Sequence, residues 1–366
     1  MPVRDTNSLV LSSKRRGHVK VRIRQHDAPL DVRPGETVLE AALRRGLRYP
    51  HGCKQGNCGS CKSRLLAGRV DLKPYSPLAL SDAEREDGLI LACRARPETP
   101  VEVAWLAHMS SEADEAPRHP MQHLVCRVVS VEPATRDITV VRLAPLDGGH
   151  FAFSAGQYAA VTFAGQAPRD YSMANRPDQA ELEFHIRAVA NGATSLFVAR
   201  DLRAGSTAVV DGPFGRCWLR DHHPGPLLAI AGGSGLAPLR SIVDTALRRG
   251  VRQPIHLYFG ARDEADVYGE DELRDLAARH RNLHLAVVLS APRTPTDRRT
   301  GPLHAAVAAD FTTLVDATAY LAGPPDMVAA VREALRGLGV ANSAIHADPF
   351  HSAEEMLAGP DAAPDP

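Results

Sequence analysis

The chain has 366 residues, of which 44% are hydrophobic, so two or three domains with ordinary globular cores are expected. Lysine plus arginine and aspartate plus glutamate each number 43, a balance that recommends neither nucleic acid nor an anionic membrane as partner. The longest apolar run, Leu227–Leu239, is broken by Gly232, Gly233 and Gly235 and is too short for a membrane helix.

Residues 1–17 carry no usable pattern, and Asp5, Lys14, Arg15 and Arg16 interrupt any secretory core, so a flexible N-terminus and a cytoplasmic protein are expected. In that compartment the six cysteines are metal ligands or buried thiols rather than disulfides. His18–Gln25 alternates apolar and polar residues as a half-buried strand does, and Leu30–Val32 suits the returning strand of a hairpin. Glu36–Arg45 then places Val38, Leu39, Ala42 and Leu43 at helical spacing, with Gly46 as the stop.

This first block, residues 18–108, holds Cys53, Cys58 and Cys61 in HGCKQGNCGSCK and Cys93 in LILACRAR, a C-x4-C-x2-C-x31-C spacing. A two-iron cluster needs four converging thiolates, and one glycine-rich loop can supply three of them. The spacing matches the plant-type ferredoxin signature. A zinc site would pair its cysteines in two separate knuckles, and only one C-x2-C pair is present. A Rieske centre would need two histidines in place of two cysteines. Cys126 and Cys217 are expected to be small buried side chains, and His51 an exposed loop histidine.

Residues 109–122 mix acids, prolines and small residues and are expected to form a linker. Residues 123–222 carry short strand-like runs separated by glycine and proline, which suggests an antiparallel barrel. Within it stands Arg169-Asp170-Tyr171-Ser172. Arginine can grip a phosphate, tyrosine can lie on a flavin ring, and the Ser172 hydroxyl can hydrogen-bond the flavin N5. His185–Arg187 follows, and then Gly192-Ala193-Thr194-Ser195, a helix start whose free amides suit a pyrophosphate.

Residues 223–351 alternate apolar runs (Leu227–Ala231, His256–Gly260, Leu283–Leu289, Ala319–Ala322) with helical stretches, the pattern of a parallel sheet with helices on its faces. Gly232, Gly233 and Gly235 form a turn before a helix expected to start near Pro238. A second turn contains Gly323 and Pro324. On parallel strands of one sheet these turns would flank a single crevice. Asp263, Glu264 and Asp266 make an acidic loop after the second run, suited to a ribose hydroxyl and so favouring NADH over NADPH, with Arg262 as a counterweight. Residues 352–366 are expected to form a loose tail.

In this order the motifs resemble the bacterial oxygenase-reductase family of the ferredoxin–NADP reductase superfamily, over about His18 to Phe350. The resemblance implies a β-grasp ferredoxin domain with a [2Fe-2S] cluster on Cys53, Cys58, Cys61 and Cys93. It implies FAD held by Arg169, Tyr171, Ser172, Gly192, Thr194 and Ser195, with Ser172 and Tyr171 at the reacting ring; His185 and Arg187 are further cofactor-binding candidates from the sequence. Gly232, Gly233 and Gly235 would face the NADH pyrophosphate, with Asp263, Gly323 and Pro324 as coenzyme candidates from their loop and turn, and Phe350 would lie against the flavin ring. One departure is Ala322, where the family often has cysteine.

The implied activity passes electrons from NADH to FAD to the cluster and on to an oxygenase component, either a Rieske dioxygenase or a diiron monooxygenase, with the chain acting as a monomer. A sugar-nucleotide deoxygenation system is an alternative acceptor. A non-turnover iron–sulfur sensor is an alternative of another class, which the complete flavin and nicotinamide motifs argue against. A sodium-pumping quinone reductase subunit shares the motifs but would need an N-terminal membrane helix. From the cysteine spacing, the purified protein is expected to contain about two irons per chain, and Cys58→Ser to remove the cluster's absorbance while sparing the flavin's. Metal analysis giving stoichiometric zinc and no iron would overturn the assignment.

Overall fold

The structure, a computed structural model, describes residues 19–47, 49–51, 54, 56, 59–77, 79–106, 119–120 and 122–351. Cys53, Cys58, the 1–17 segment, most of the 109–122 linker and the 352–366 tail lie outside these residues.

The first unit contains β1 (Val19–Ile23), β2 (Leu30–Val32), α1 (Val38–Arg44), β3 (Lys62–Ala67), β4 (Val70–Leu72), α2 (Asp82–Glu86), β5 (Leu89–Leu91), β6 (Ala95–Pro97) and β7 (Val101–Trp105). Five strands form a sheet in the order β2-β1-β7-β3-β5, with β1 and β7 parallel, and β4 pairs with β6 separately. The expected hairpin and helix are present. Thr37 starts α1 with a capping box, its hydroxyl accepting from the Glu40 N–H while the Glu40 carboxylate accepts from the Thr37 N–H. Val38, Leu39, Ala41 and Ala42 then face the core with Val21, Ile23 and Leu91.

The second unit contains β8 (Gln122–Pro133), β9 (Ile138–Pro145), β10 (Tyr158–Phe163), β11 (Arg169–Ser172), β12 (Leu182–Arg187), α3 (Ala193–Arg200) and β13 (Thr207–Phe214). They form an antiparallel sheet in the order β11-β10-β13-β8-β9-β12. An antiparallel bridge between Met173 and Phe184 joins the two edges, so the sheet curls into a barrel around Val141, Val161, Phe163 and Phe184.

The third unit contains β14 (Leu227–Gly232), α4 (Leu236–Arg248), β15 (Ile255–Ala261), α5 (Glu270–Arg279), β16 (Leu283–Leu289), β17 (Arg299–Thr300), α6 (Leu303–Asp310), β18 (Thr318–Gly323), α7 (Pro325–Gly337) and β19 (Ile345–Pro349). All six strands run parallel in the order β17-β16-β15-β14-β18-β19. Leu227, Ala229 and Ala231 face α4 on one side, while Leu228 and Ile230 face α6 and α7 on the other. A strand covered on both faces needs apolar residues at every position, which is why β14 and β18 stand out as continuous runs.

The helix expected near Pro238 begins at Leu236, after a 3-10 turn over Gly233–Gly235. Pro238 lies in the first helical turn, where its missing N–H costs no intrahelical bond. Among the described residues no helix is long and apolar enough to cross a membrane. Because Thr37 is buried and caps α1, Thr37→Ala is expected to lower the stability of the first unit by about 1 kcal/mol. Thermal melting followed at the cluster's absorbance measures this, and an unchanged midpoint would deny the cap its role.

Candidate functional site

Of the four cysteines expected to ligate the cluster, Cys61 and Cys93 are described, and they lie together. Both are buried, and the Cys93 N–H donates to Cys61 Sγ at 3.4 Å. The preceding loop is pinned closely: a Cβ at Gly56, whose φ is +85°, would sit 2.8 Å from Arg94 and 2.9 Å from Tyr75. Cys126 and Cys217 are buried away from this pair, as expected. His51 differs from expectation, being half-buried with Nδ1 2.7 Å from the Tyr49 carbonyl, and burial lowers its pKa. From the same loop Lys54 places its ammonium 5.1 Å from the centre of the Phe214 ring, at the end of β13. The Phe214 ring packs on Tyr158 at 5.8 Å, and Tyr158 stands opposite Ser172 in the β10–β11 pairing.

The RDYS residues form β11. Arg169 is exposed, Tyr171 packs half-buried against the barrel core with burial pushing its hydroxyl pKa up, and Ser172 is buried. At α3, Gly192 takes the N-cap position and no side chain caps the first-turn amides, which leaves that helix start open to an anion. Thr194 Oγ1 donates to the Ala167 carbonyl at 3.1 Å and so ties this helix start to the segment carrying Arg169. Ser195 Oγ donates to the Gly192 carbonyl at 3.0 Å. At the other end of β11, Ser172 Oγ donates to Asp348 Oδ2 at 3.3 Å. Asp348 was not foreseen, because nothing local marks it and its partner is 176 residues away.

The two glycine turns meet at the carboxyl edge of adjacent parallel strands, where the chain switches from one side of β14 to the other. A Cβ on Gly235 would collide with the Ala322 carbonyl, and one on Gly323 would lie 2.8 Å from the Gly232 carbonyl. Phe350 joins them, its N–H donating to the Gly323 carbonyl at 2.8 Å. Pro324 takes the N-cap position of α7, which likewise has no side-chain cap. Ala322 is wholly buried.

The acidic loop is not the free negative patch the sequence suggests. Asp263 accepts from the backbone N–H of Glu264 and is paired with the Arg293 guanidinium, whose hydrogen bond is the main cause of its lowered pKa. Glu264 is paired with Arg298, and Asp266 Oδ1 lies 3.2 Å from Arg136 Nε.

His185 and Arg187 lie on the outward face of β12, toward the coenzyme unit. His185 is buried between Glu183 and Tyr268, with Nε2 3.1 Å from Glu183 Oε1 and Nδ1 3.0 Å from the Tyr268 hydroxyl. The Arg187 guanidinium lies over Gly233, and its Nε is 3.0 Å from Asp137 Oδ2. Glu183 also accepts from Arg142 and from Arg240, each at 2.9 Å. Burial alone would raise the Glu183 pKa. The hydrogen bond from His185 and the charges of Arg240 and Arg142 outweigh it, and the carboxyl falls to about 2.

Three family models match the chain. They are a 2Fe-2S iron-sulfur cluster binding domain over residues 21–98, an oxidoreductase FAD-binding domain over 125–218 and an oxidoreductase NAD-binding domain over 229–333. The reductase component of naphthalene 1,2-dioxygenase/salicylate 5-hydroxylase systems from Ralstonia is 37% identical over 327 residues, 88% of this chain and 95% of that protein. The chain belongs to the family of oxygenase reductase components. A second member, the aromatic O-demethylase reductase subunit of Amycolatopsis, is 37% identical over 88% of this chain and 96% of its own length. Among solved structures, an Amycolatopsis cytochrome P450 reductase matches with a TM-score of 0.74 and 35% identity, covering 91% of this chain and 98% of that one. The ferredoxin reductase of carbazole 1,9a-dioxygenase matches with a TM-score of 0.70 and 27% identity over the same shares.

The reductase therefore has iron–sulfur, flavin and nicotinamide domains, and its own residues fit those groups. An N–H aimed at a buried sulfur suits a thiolate, uncapped helix starts suit phosphates, and the Gly235 cradle admits a close backbone approach. Glu183 also makes the reductase's stability depend on acid. Its unfolded pKa is 4.5 and its folded pKa about 2, so its contribution is whole above pH 4.5 and is lost as pH falls toward 2. Glu183→Gln is expected to be less stable than wild type at pH 7, with the gap narrowing below about pH 4. Denaturant titrations at both pH values check this, and a constant gap would show the carboxylate's ionisation to be irrelevant.

Proposed function

We propose that this reductase carries electrons from NADH through FAD and a [2Fe-2S] cluster to an oxygenase component. In support, the bond from Ser172 to Asp348 joins the RDYS strand to the sheet edge bearing Gly323 and Phe350, so the flavin and nicotinamide motifs share one junction. When bound, the flavin supplies conversion of a two-electron hydride into single electrons, and the cluster supplies one-electron carriage.

The chain's residues bind and orient. Cys53, Cys58, Cys61 and Cys93 ligate the cluster. Arg169, Gly192, Thr194 and Ser195 would hold the FAD phosphates, Tyr171 would bind the ring, and Ser172, whose hydroxyl donates to Asp348, would face its reacting part. Gly232, Gly233, Gly235, Gly323 and Pro324 would receive NADH, with Asp263 toward its ribose, and Phe350 would serve the flavin ring. His185 and Arg187 shape the junction between flavin and coenzyme rather than grip the flavin. Lys54 and Phe214 connect the cluster loop to the barrel, which suits delivery to the cluster.

The acceptor is an oxygenase component, a reading supported by the relatives named as reductase components of propane 2-monooxygenase and phenol 2-monooxygenase. The domains run 18–108, 123–222 and 223–351, and the chain acts as a cytoplasmic monomer. The whole chain should reduce both ferricyanide and cytochrome c with NADH. Cys58→Ser should keep the first activity and lose most of the second. Equal cytochrome c reduction by the variant would show that the cluster is not the exit for electrons.

A further inference from the structure

Strand β12 carries Glu183, His185 and Arg187 on one face, while Leu182, Phe184 and Ile186 fill the barrel core. Alternate residues of a strand share a face, so these three polar side chains meet the neighbouring unit together. Glu183 binds Arg240 on α4, His185 binds Tyr268, and the Arg187 guanidinium lies 3.0 Å from where a Gly233 Cβ would stand. Each of these three cross-unit contacts falls on or beside the glycine turn or the helix that follows it.

The proton positions follow from the partners. The ionised Glu183 carboxylate can only accept, so His185 Nε2 carries the ring hydrogen. Burial keeps the imidazole neutral, so Nδ1 accepts from the Tyr268 hydroxyl. The same hydroxyl hydrogen is shared with the Gly233 carbonyl, 3.5 Å from the phenol oxygen, so the phenol bridges His185 and the turn, and its ring stands edge-on to Phe259 at 5.6 Å. Gly233, with φ +55°, sits between this phenol and the Arg187 guanidinium. His185 and Tyr268 are buried, so neither is placed to touch a coenzyme.

We propose that Glu183, His185 and Tyr268 are positioning residues that hold the Gly232–Gly235 turn at a set distance from the flavin barrel, and so set the approach of the nicotinamide to the flavin. This rests on the coenzyme site proposed above. Hydride transfer depends steeply on approach, and a displacement of about 1 Å can cost about a hundredfold in rate. Losing one link of the chain should cost less than that ceiling.

The test uses the flavin-loaded full chain. Tyr268→Phe removes only the hydroxyl, and is expected to slow flavin reduction by NADH about tenfold in stopped flow. NAD+ affinity by calorimetry should stay within about twofold, and flavin content should be unchanged. The long-wavelength absorbance of nicotinamide stacked on flavin should weaken in step with the rate. His185→Leu should behave as Tyr268→Phe does, and His185→Gln, which can still donate and accept, should recover most of the rate. Wild-type rates in Tyr268→Phe, whatever its melting temperature, overturn the proposal. Should that variant not fold, equal rates in His185→Gln and His185→Leu overturn it instead. Failure of the wild type to bind NAD+ would sink the underlying coenzyme assignment rather than this inference.

Discussion

At the carboxyl edge of the parallel sheet, Gly235 approaches the Ala322 carbonyl so closely that any side chain there would collide with it. Only a glycine backbone allows β14 to turn into α4 directly beside β18, with Gly232 and Gly323 facing each other across the same edge. That approach brings the two turns into one crevice. It also sets the end of β19 beside them, where Phe350 donates to Gly323 and Asp348 meets Ser172 of the barrel. A larger residue at Gly235 would part the strands and separate these groups together.

Charge governs the contact between the barrel and this edge. Glu183 is a buried carboxylate surrounded by Arg142, Arg240 and His185. Arg142 and His185 belong to the barrel and Arg240 to α4, and because leaving a buried charge unpaired is costly, the bond from Arg240 favours the docking that keeps it. The junction is accordingly specified by direction as well as by area, unlike an apolar interface. The contact of the first unit with the barrel is lighter, with Lys54 of the cysteine loop resting on Phe214, in line with Tyr158 and Ser172. A cation over an aromatic face is worth about 0.5–1 kcal/mol when exposed, so the first unit is tethered here more weakly than the coenzyme unit is to the barrel.

Much of this protein was legible from residues close together in the chain. The cysteine spacing, the glycine turns and RDYS each span a few residues and carry their chemistry with them. The fully buried runs that became β14 and β18 announce a parallel sheet because both faces must be apolar. The capping box at Thr37 fixes where α1 starts for the same local reason.

The tertiary structure alone decided which partners the polar side chains take. His185 reads locally as part of a flavin motif, yet its ring bonds Tyr268, 83 residues away. Asp263 reads as an open acid for a ribose hydroxyl, yet Arg293, 30 residues on, engages it. Asp348 has no motif and acquires its place only because β19 ends beside β11. Hydrophobic periodicity and turn chemistry are properties of neighbours along the chain. The charge state, tautomer and availability of a buried polar group depend on what the fold places within about 3 Å of it, and that is set by strand order and register.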